Sequence, residues 1–234
     1  MTREPLPHGL SGRDEQRAYF DWILGLFGAA LVGNVMDHGA GTGMLTARLE
    51  PRAESVLALE PEPVLFDRLR ERFAGAPNVT LMLGTIETYL ERFGPDRLDA
   101  IVSSNVLEHL VDDVGCLQQL RRALRPGGVL AVYVPARSEL FGSLDRAVGH
   151  LRRYTRPLLQ SRLEAAGFHV EWVRYGNLVG VLPWLLSGRV LGQTAIGSQN
   201  LKLFDRLIFP AASRIEGLLH IPYGLNVAAL ARRQ

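Results

Sequence analysis

Cysteine is nearly absent, with Cys116 the single example in 234 residues. That excludes an internal disulfide and suits a reducing compartment, so a cytoplasmic location is expected. Long apolar runs are missing as well. No stretch approaches the roughly 20 residues of a membrane-spanning helix, and no apolar core of a signal peptide follows Met1-Thr2-Arg3-Glu4-Pro5. Excess charge is also lacking, at 26 basic against 24 acidic residues, net +2. No global pull toward nucleic acid follows, and neither a nucleic-acid partner nor stable membrane insertion is expected. What the chain does have is apolar residues, 47% of the total. They suffice for the core of one α/β domain spanning 1–234.

The stretch Val35-Met36-Asp37-His38-Gly39-Ala40-Gly41-Thr42-Gly43 reads as a strand and a tight turn, and a helix is expected over 42–50. Glycines accept positive φ and remove side chains that would block a ligand. The N–H groups and positive dipole end of the following helix would face what binds there. A nucleotide-like ligand is the expectation. The dinucleotide fingerprint G-x-G-x-x-G is missing, however. Counted from Gly39 it requires glycine where Met44 stands, and from Gly41 where Thr46 stands. A nicotinamide oxidoreductase is therefore disfavoured.

The spacing present, D-x-G-x-G-x-G over Asp37, Gly39, Gly41 and Gly43, resembles motif I of the class I S-adenosylmethionine-dependent methyltransferases. The resemblance implies S-adenosylmethionine as cofactor and S-adenosylhomocysteine as product. It also implies a doubly wound, mostly parallel seven-stranded α/β sheet of order 3-2-1-4-5-7-6. In that family the glycine turn lies against the methionine portion of the cofactor, which makes Asp37, Gly39, Ala40, Gly41 and Gly43 cofactor-binding candidates. The apolar run Ser55–Leu59 reads as a buried parallel strand ending at Glu60. A carboxylate there can accept hydrogen bonds from both ribose hydroxyls, and Pro61 follows it. Strand three, 78–83, exits at Gly84-Thr85-Ile86. Many relatives carry an aspartate after that glycine, so adenine contacts here fall to Thr85 and Ile86. Strand four, 99–104, presents Asn105 and Val106 to the methyl-bearing end. A leading helix over 13–31 would close over the cofactor, with Tyr19 and Phe20 candidate contacts or plain core.

The remaining candidates lie on the acceptor side. A loop over 136–156 carries Asp145, His150, Arg152, Arg153 and Tyr154, and loops at strand tips concentrate functional groups. His150 is the first candidate for general base, with Tyr154 or Asp145 orienting it. His109 is second, and fits equally a structural histidine. Arg152 and Arg153 would suit an acceptor bearing phosphate or carboxylate. The run Ser143 to Thr155, with Asn177, Pro183-Trp184 and Pro222-Tyr223-Gly224-Leu225, looks like a bacterial subfamily of these enzymes that accompanies glycosyltransferases or natural-product pathways. Asn177 and Trp184 join the substrate-binding candidates on that likeness, and no metal site is expected.

Asp113 is the expected N-cap of a helix reaching Leu124, and Thr155 of one ending at Ala166-Gly167. Strands six (169–175) and seven (226–231) close the sheet. The apolar segment between them, 177–222, is expected as a helical insertion, with Pro210 interrupting its second helix. It would serve as a lid on the acceptor pocket, a homodimer interface, or a lipid-docking surface, in that order. The expected function is methyl transfer to the oxygen of a small-molecule acceptor, a natural-product or glycan- or lipid-linked intermediate. N- or C-methylation on the same scaffold and a non-catalytic cofactor-binding partner are the alternatives. No Asp/Asn-Pro-Pro-Tyr motif stands at 104–107, against a nucleic-acid methyltransferase.

Overall fold

Apolar runs and amphipathic segments alternate along the chain, and strands alternate with helices accordingly. The computed structural model describes residues 16–194, 198–218 and 222–234. In order they form α1 (Arg17–Phe27), β1 (Asn34–His38), α2 (Thr46–Leu49), β2 (Ser55–Glu60), α3 (Pro63–Arg72), β3 (Val79–Leu83), α4 (Ile86–Phe93) and β4 (Leu98–Ser104). Then follow α5 (Asp113–Ala123), β5 (Leu124–Pro135), α6 (Ser143–Ala147), α7 (Arg156–Ala165) and β6 (Phe168–Gly176). The chain closes with α8 (Val181–Trp184), α9 (Ser198–Leu203), α10 (Phe209–Leu218) and β7 (Asn226–Arg233). The expected start of the leading helix at 13–15 lies outside the described residues.

The sheet has the order β3-β2-β1-β4-β5-β7-β6. The first five strands pair in parallel and β7 runs antiparallel to both β5 and β6. Parallel strands need covered faces, and their side chains here are apolar on both sides. One face packs Tyr89 of α4, Leu117 and Leu120 of α5, and Leu159 and Leu163 of α7 against Ile101, Leu130 and Val132. The other packs Ile23, Leu24 and Phe27 of α1 and Leu49 of α2 against Val35, Val102 and Tyr133. The carboxyl ends of β1, β2 and β4 therefore gather at one rim, beside the point where strand order reverses.

Three local expectations need correction. The helix after the glycine turn begins only at Thr46, because the N–H of Gly43 bonds the Ala40 carbonyl (2.9 Å) and keeps the chain in a turn. The N-cap of α5 is Asp112, whose side chain accepts the Gly115 N–H at 2.8 Å. Asp113 instead turns inward, accepting the Tyr154 hydroxyl (2.8 Å) and pairing with Arg152 (2.9 Å). Pro210 does not interrupt its helix, because the preceding turns Phe204–Ile208 widen to π geometry. A proline lacks the N–H of a regular helical bond, and a wide turn before it absorbs that loss.

The insertion is stitched to the body by one inward carboxylate, Asp205, and closed at its base by another, Glu216. Asp205 accepts the backbone N–H groups of Ala18 (3.0 Å) and Tyr19 (2.9 Å), donors that a helix start leaves unpaired. Glu216 accepts those of Asn177 and Leu178, each at 2.8 Å. Its outer surface exposes Leu182, Val190, Leu203 and Leu207. Among the described residues no helix is long and apolar enough to cross a membrane.

Candidate active site

The rim formed by β1, β2 and β4 opens into a cavity of about 910 Å³. At its centre the glycine turn holds positive φ at Gly39 (73°), Gly41 (58°) and Gly43 (82°), a region that side chains rarely tolerate. The three have different reasons to be glycine. A Cβ on Gly39 would lie 2.4 Å from the Val106 side chain, whereas one on Gly41 would meet nothing within 4 Å. Gly41 thus leaves room for a ligand. A Cβ on Gly43 would lie 2.4 Å from Phe73 and 2.7 Å from Leu69, so this glycine lets α3 pack closely and does not line the cavity.

The turn's N–H groups are used inside the protein rather than aimed at a ligand. Gly39 and Ala40 donate to the Leu59 carbonyl at 2.9 and 3.0 Å. Gly41 donates to Glu60 Oε2 at 2.7 Å, and the Glu62 N–H to Glu60 Oε1 at 2.9 Å. Each carboxylate oxygen has a second lone pair, so Glu60 can brace the turn and still accept two neighbouring hydroxyls. Burial pushes the Glu60 carboxyl above its ordinary value, against the opposing effect of its two backbone donors. Asp37 behind the turn accepts the Thr46 hydroxyl at 2.6 Å, and burial raises it to about 6. His38 sits 3.1 Å from the Ser103 hydroxyl, and burial lowers it to about 4, so it is neutral at pH 7.

Pro61, Thr85, Ile86, Asn105 and Val106 also border the cavity. Tyr19 does not. Its ring stacks among Trp22, Tyr133 and Phe209, and its hydroxyl lies 3.1 Å from that of Tyr133. Phe20, one position on, is the aromatic of α1 that reaches the cavity. Sequence reasoning missed the start of α5, where Asp112, Gly115 and Gln119 complete the wall. Their only signal was the helix expected directly after strand four.

At the acceptor end the cavity is lined by His109, Val148 and His150. His150 Nδ1 lies 2.9 Å from Asp145 Oδ1, its Nε2 3.7 Å from Glu108 Oε1, and its ring meets that of His109 edge-on at 4.9 Å. Asp145 is fully buried and accepts Arg153 Nε (2.8 Å) and the Gly142 N–H (2.9 Å). Burial alone would push the Asp145 carboxyl up, but the bonds from His150, Arg153 and Gly142 outweigh it and hold it below its ordinary value.

Several acceptor-side candidates do not reach the cavity. Arg153 is buried, donates to Asp145 and to the Ala136 carbonyl (2.8 Å), and lies over the Trp184 ring at 4.8 Å. Both residues therefore brace the loop against α8, and neither lines the cavity. Arg152 is used by Asp113 and the Val111 carbonyl. Tyr154 is buried with its hydroxyl donated to Asp113, and burial with that bond raises it far above its ordinary value, so it does not orient His150. Asn177 bonds Asn226 at 3.0 Å at the base of the insertion. No described residue of that insertion lines the cavity, so the lid role has no contact to support it.

A glycine turn braced by a strand-end carboxylate, in a 3-2-1-4-5-7-6 sheet, defines the class I methyltransferase fold. The comparisons agree. The family model for a methyltransferase domain matches residues 36–132. The uncharacterized methyltransferase Rv3342 of Mycobacterium tuberculosis (strain ATCC 25618 / H37Rv) is 36% identical over 216 residues, covering 87% of this chain and 83% of the relative. A SAM-dependent methyltransferase from Archaeoglobus fulgidus superposes with a TM-score of 0.62 at 14% identity, covering 93% of this chain and 94% of the other. An S-adenosylmethionine-dependent methyltransferase from Mesorhizobium loti gives 0.60 at 16%, covering 92% and 98%. The chain belongs to the S-adenosylmethionine-dependent methyltransferases, with that compound as its methyl donor.

Proposed function

We propose that this methyltransferase alkylates a hydroxyl oxygen of a small-molecule acceptor, a natural-product or glycan- or lipid-linked intermediate. The single observation carrying the reading is that His150, anchored by Asp145, faces the same cavity as the glycine turn. Imidazoles at the acceptor end are the groups that activate a hydroxyl, whereas an amine acceptor needs little help. The cavity volume of about 910 Å³ lies within the range typical of small-molecule sites, enough for a nucleoside cofactor and a modest acceptor.

When bound, the cofactor supplies a methyl group on a positively charged sulfur. Glu60 takes the ribose hydroxyls, Gly39, Ala40 and Gly41 admit the methionine portion, and Thr85 and Ile86 border the base. Asp37 stiffens the turn through Thr46. Asn105 and Val106 would flank the methyl end, and His109 and His150, which line the same cavity, would orient the acceptor hydroxyl toward it. Such positioning can supply most of the acceleration. The buried thiol of Cys116 is consistent with a cytoplasmic setting.

The test is to supply donor carrying a trideuteromethyl group with a panel of hydroxylated intermediates and locate the label by mass spectrometry and NMR. Label on oxygen is expected. His150→Ala should lower turnover by roughly 10²–10⁴ while leaving affinity for S-adenosylhomocysteine within about twofold. Label on nitrogen or carbon, or an unchanged turnover in the variant, would overturn the reading. By-product binding with no methylated product across the panel would favour a non-catalytic partner.

A further inference from the structure

We infer that Glu108, His109 and His150 form a site for a divalent first-row transition-metal cation at the acceptor end of the cavity. Each offers one ligand atom, and the three atoms lie within 4.8 Å of one another. Two imidazole nitrogens and one carboxylate oxygen are a donor set that such ions favour. Bonds of about 2.0–2.2 Å place ligand atoms roughly 3–3.5 Å apart, so the widest pair must draw in by up to about 1.3–1.8 Å. His109 is the exposed member and can supply that movement by rotating toward its two buried partners.

The surroundings are built for the same task. A metal-binding histidine normally donates its second ring N–H to a carboxylate, which fixes the ring and its tautomer. His150 has that partner in Asp145 at its Nδ1, which leaves Nε2 on the side of Glu108. Asp145 is itself fixed by Gly142 and Arg153, and the Arg153 guanidinium is spent on Asp145 and the Ala136 carbonyl. Glu108 is wholly buried, a position where a carboxylate gains most from an adjacent cation. The Leu151 N–H donates to the Glu108 carbonyl at 2.8 Å, which ties the two ligand-bearing segments together. His109 and His150 both line the cavity, so the remaining coordination positions open toward the acceptor.

The inference rests on the O-methylation reading and specifies how the hydroxyl is activated. Coordinated to the ion, the acceptor oxygen loses its proton to solvent more readily. Its lone pair then forms the bond to the methyl carbon as the carbon–sulfur pair returns to sulfur, giving a methyl ether, a neutral thioether and one released proton.

The test titrates the full chain, stripped with chelator and dialysed, with Co²⁺ and separately with Mn²⁺. Bound metal is counted by elemental analysis, and the cobalt d–d bands are followed by absorption. One equivalent per chain is expected, weakened at least tenfold by His109→Ala and roughly 10–100-fold by Asp145→Asn. Glu108→Gln removes a buried ligand and can unfold the protein. His109→Ala, at an exposed position, keeps the test decisive. No stoichiometric binding, or a His109→Ala protein titrating like the parent, would overturn the site. The labelled-donor assay on the same stripped sample separates the two claims. Label on oxygen without any metal uptake defeats the ion site alone, and metal uptake with label on nitrogen or carbon defeats the O-methylation reading alone.

Discussion

The two ends of the cavity treat carboxylates in opposite ways. At the cofactor end Asp37 and Glu60 are buried among uncharged donors, and both carboxyls are pushed up. At the acceptor end Asp145 is buried as deeply, yet Arg153 and His150 hold it down. For Asp145 the acceptor end carries the counter-charge within the fold. The cofactor end keeps two costly carboxylates without one, which is sensible where the ligand itself arrives with positive charge.

The sharpest way to break that contrast is Arg153→Ala. It leaves Asp145 buried without its main cation, and removing one member of a buried ion pair costs about 3–5 kcal/mol. Thermal denaturation should show a fall in Tm of roughly 6–20 °C for a chain of this size. A loss near zero would mean that Asp145 needs no cation, and the contrast would fail.

Asp37→Asn probes the other end. The native Asp37 carboxyl titrates at about 6 against an ordinary value of 3.8, so between those values the folded state binds more protons than the unfolded one. Stability from this group is therefore full below about pH 4 and is lost as pH rises through about 6. At about 1.4 kcal/mol per pKa unit the loss is of order 3 kcal/mol. Denaturant midpoints at pH 4, 5, 6 and 7 should show the variant gaining on the parent across that window and level beyond it. A constant difference would remove Asp37 from the account.

Glu60→Ala should weaken S-adenosylhomocysteine about a hundredfold by calorimetry, since two hydrogen bonds to a charged acceptor are worth about 1.5–3 kcal/mol each and part of that is regained from water. The smallest effect is a proton balance. Binding a positively charged donor lowers the carboxyl that titrates near 6. Titrations in buffers of different ionisation enthalpy should therefore show partial proton release at pH 5–6 that fades by about pH 8. Proton uptake there would reverse the sign argued for the cofactor end.

The same contrast separates what the sequence disclosed from what it hid. Strand-tip residues are set by local spacing, so Gly39, Gly41, Glu60 and Asn105 could be placed at the rim from the chain alone, and all four line the cavity. Spacing does not say which neighbour a residue packs against. Gly43 belongs to the motif but faces Phe73, and the rotation of α1 that brings Phe20 to the cavity turns Tyr19 into the aromatic cluster. In the loop after β5, a run of charged residues reads the same whether solvated or buried. Arg153 and Tyr154 are consumed by Asp145 and Asp113, partners fixed only by tertiary packing. Glu108 was passed over because its partner His150 arrives from beyond α5 and β5.

Gly176 and Asn226 are register partners, so the helical segment between them leaves and rejoins the sheet at a single rung. Loop-closure cost grows only slowly with length, so the length of that segment can change without shifting the pairing at this rung, provided Asp205, Phe209 and Trp184 keep their contacts with the body. Selection can revise the exposed apolar surface of this module, Leu182, Val190, Leu203 and Leu207, while the glycine turn stays unchanged.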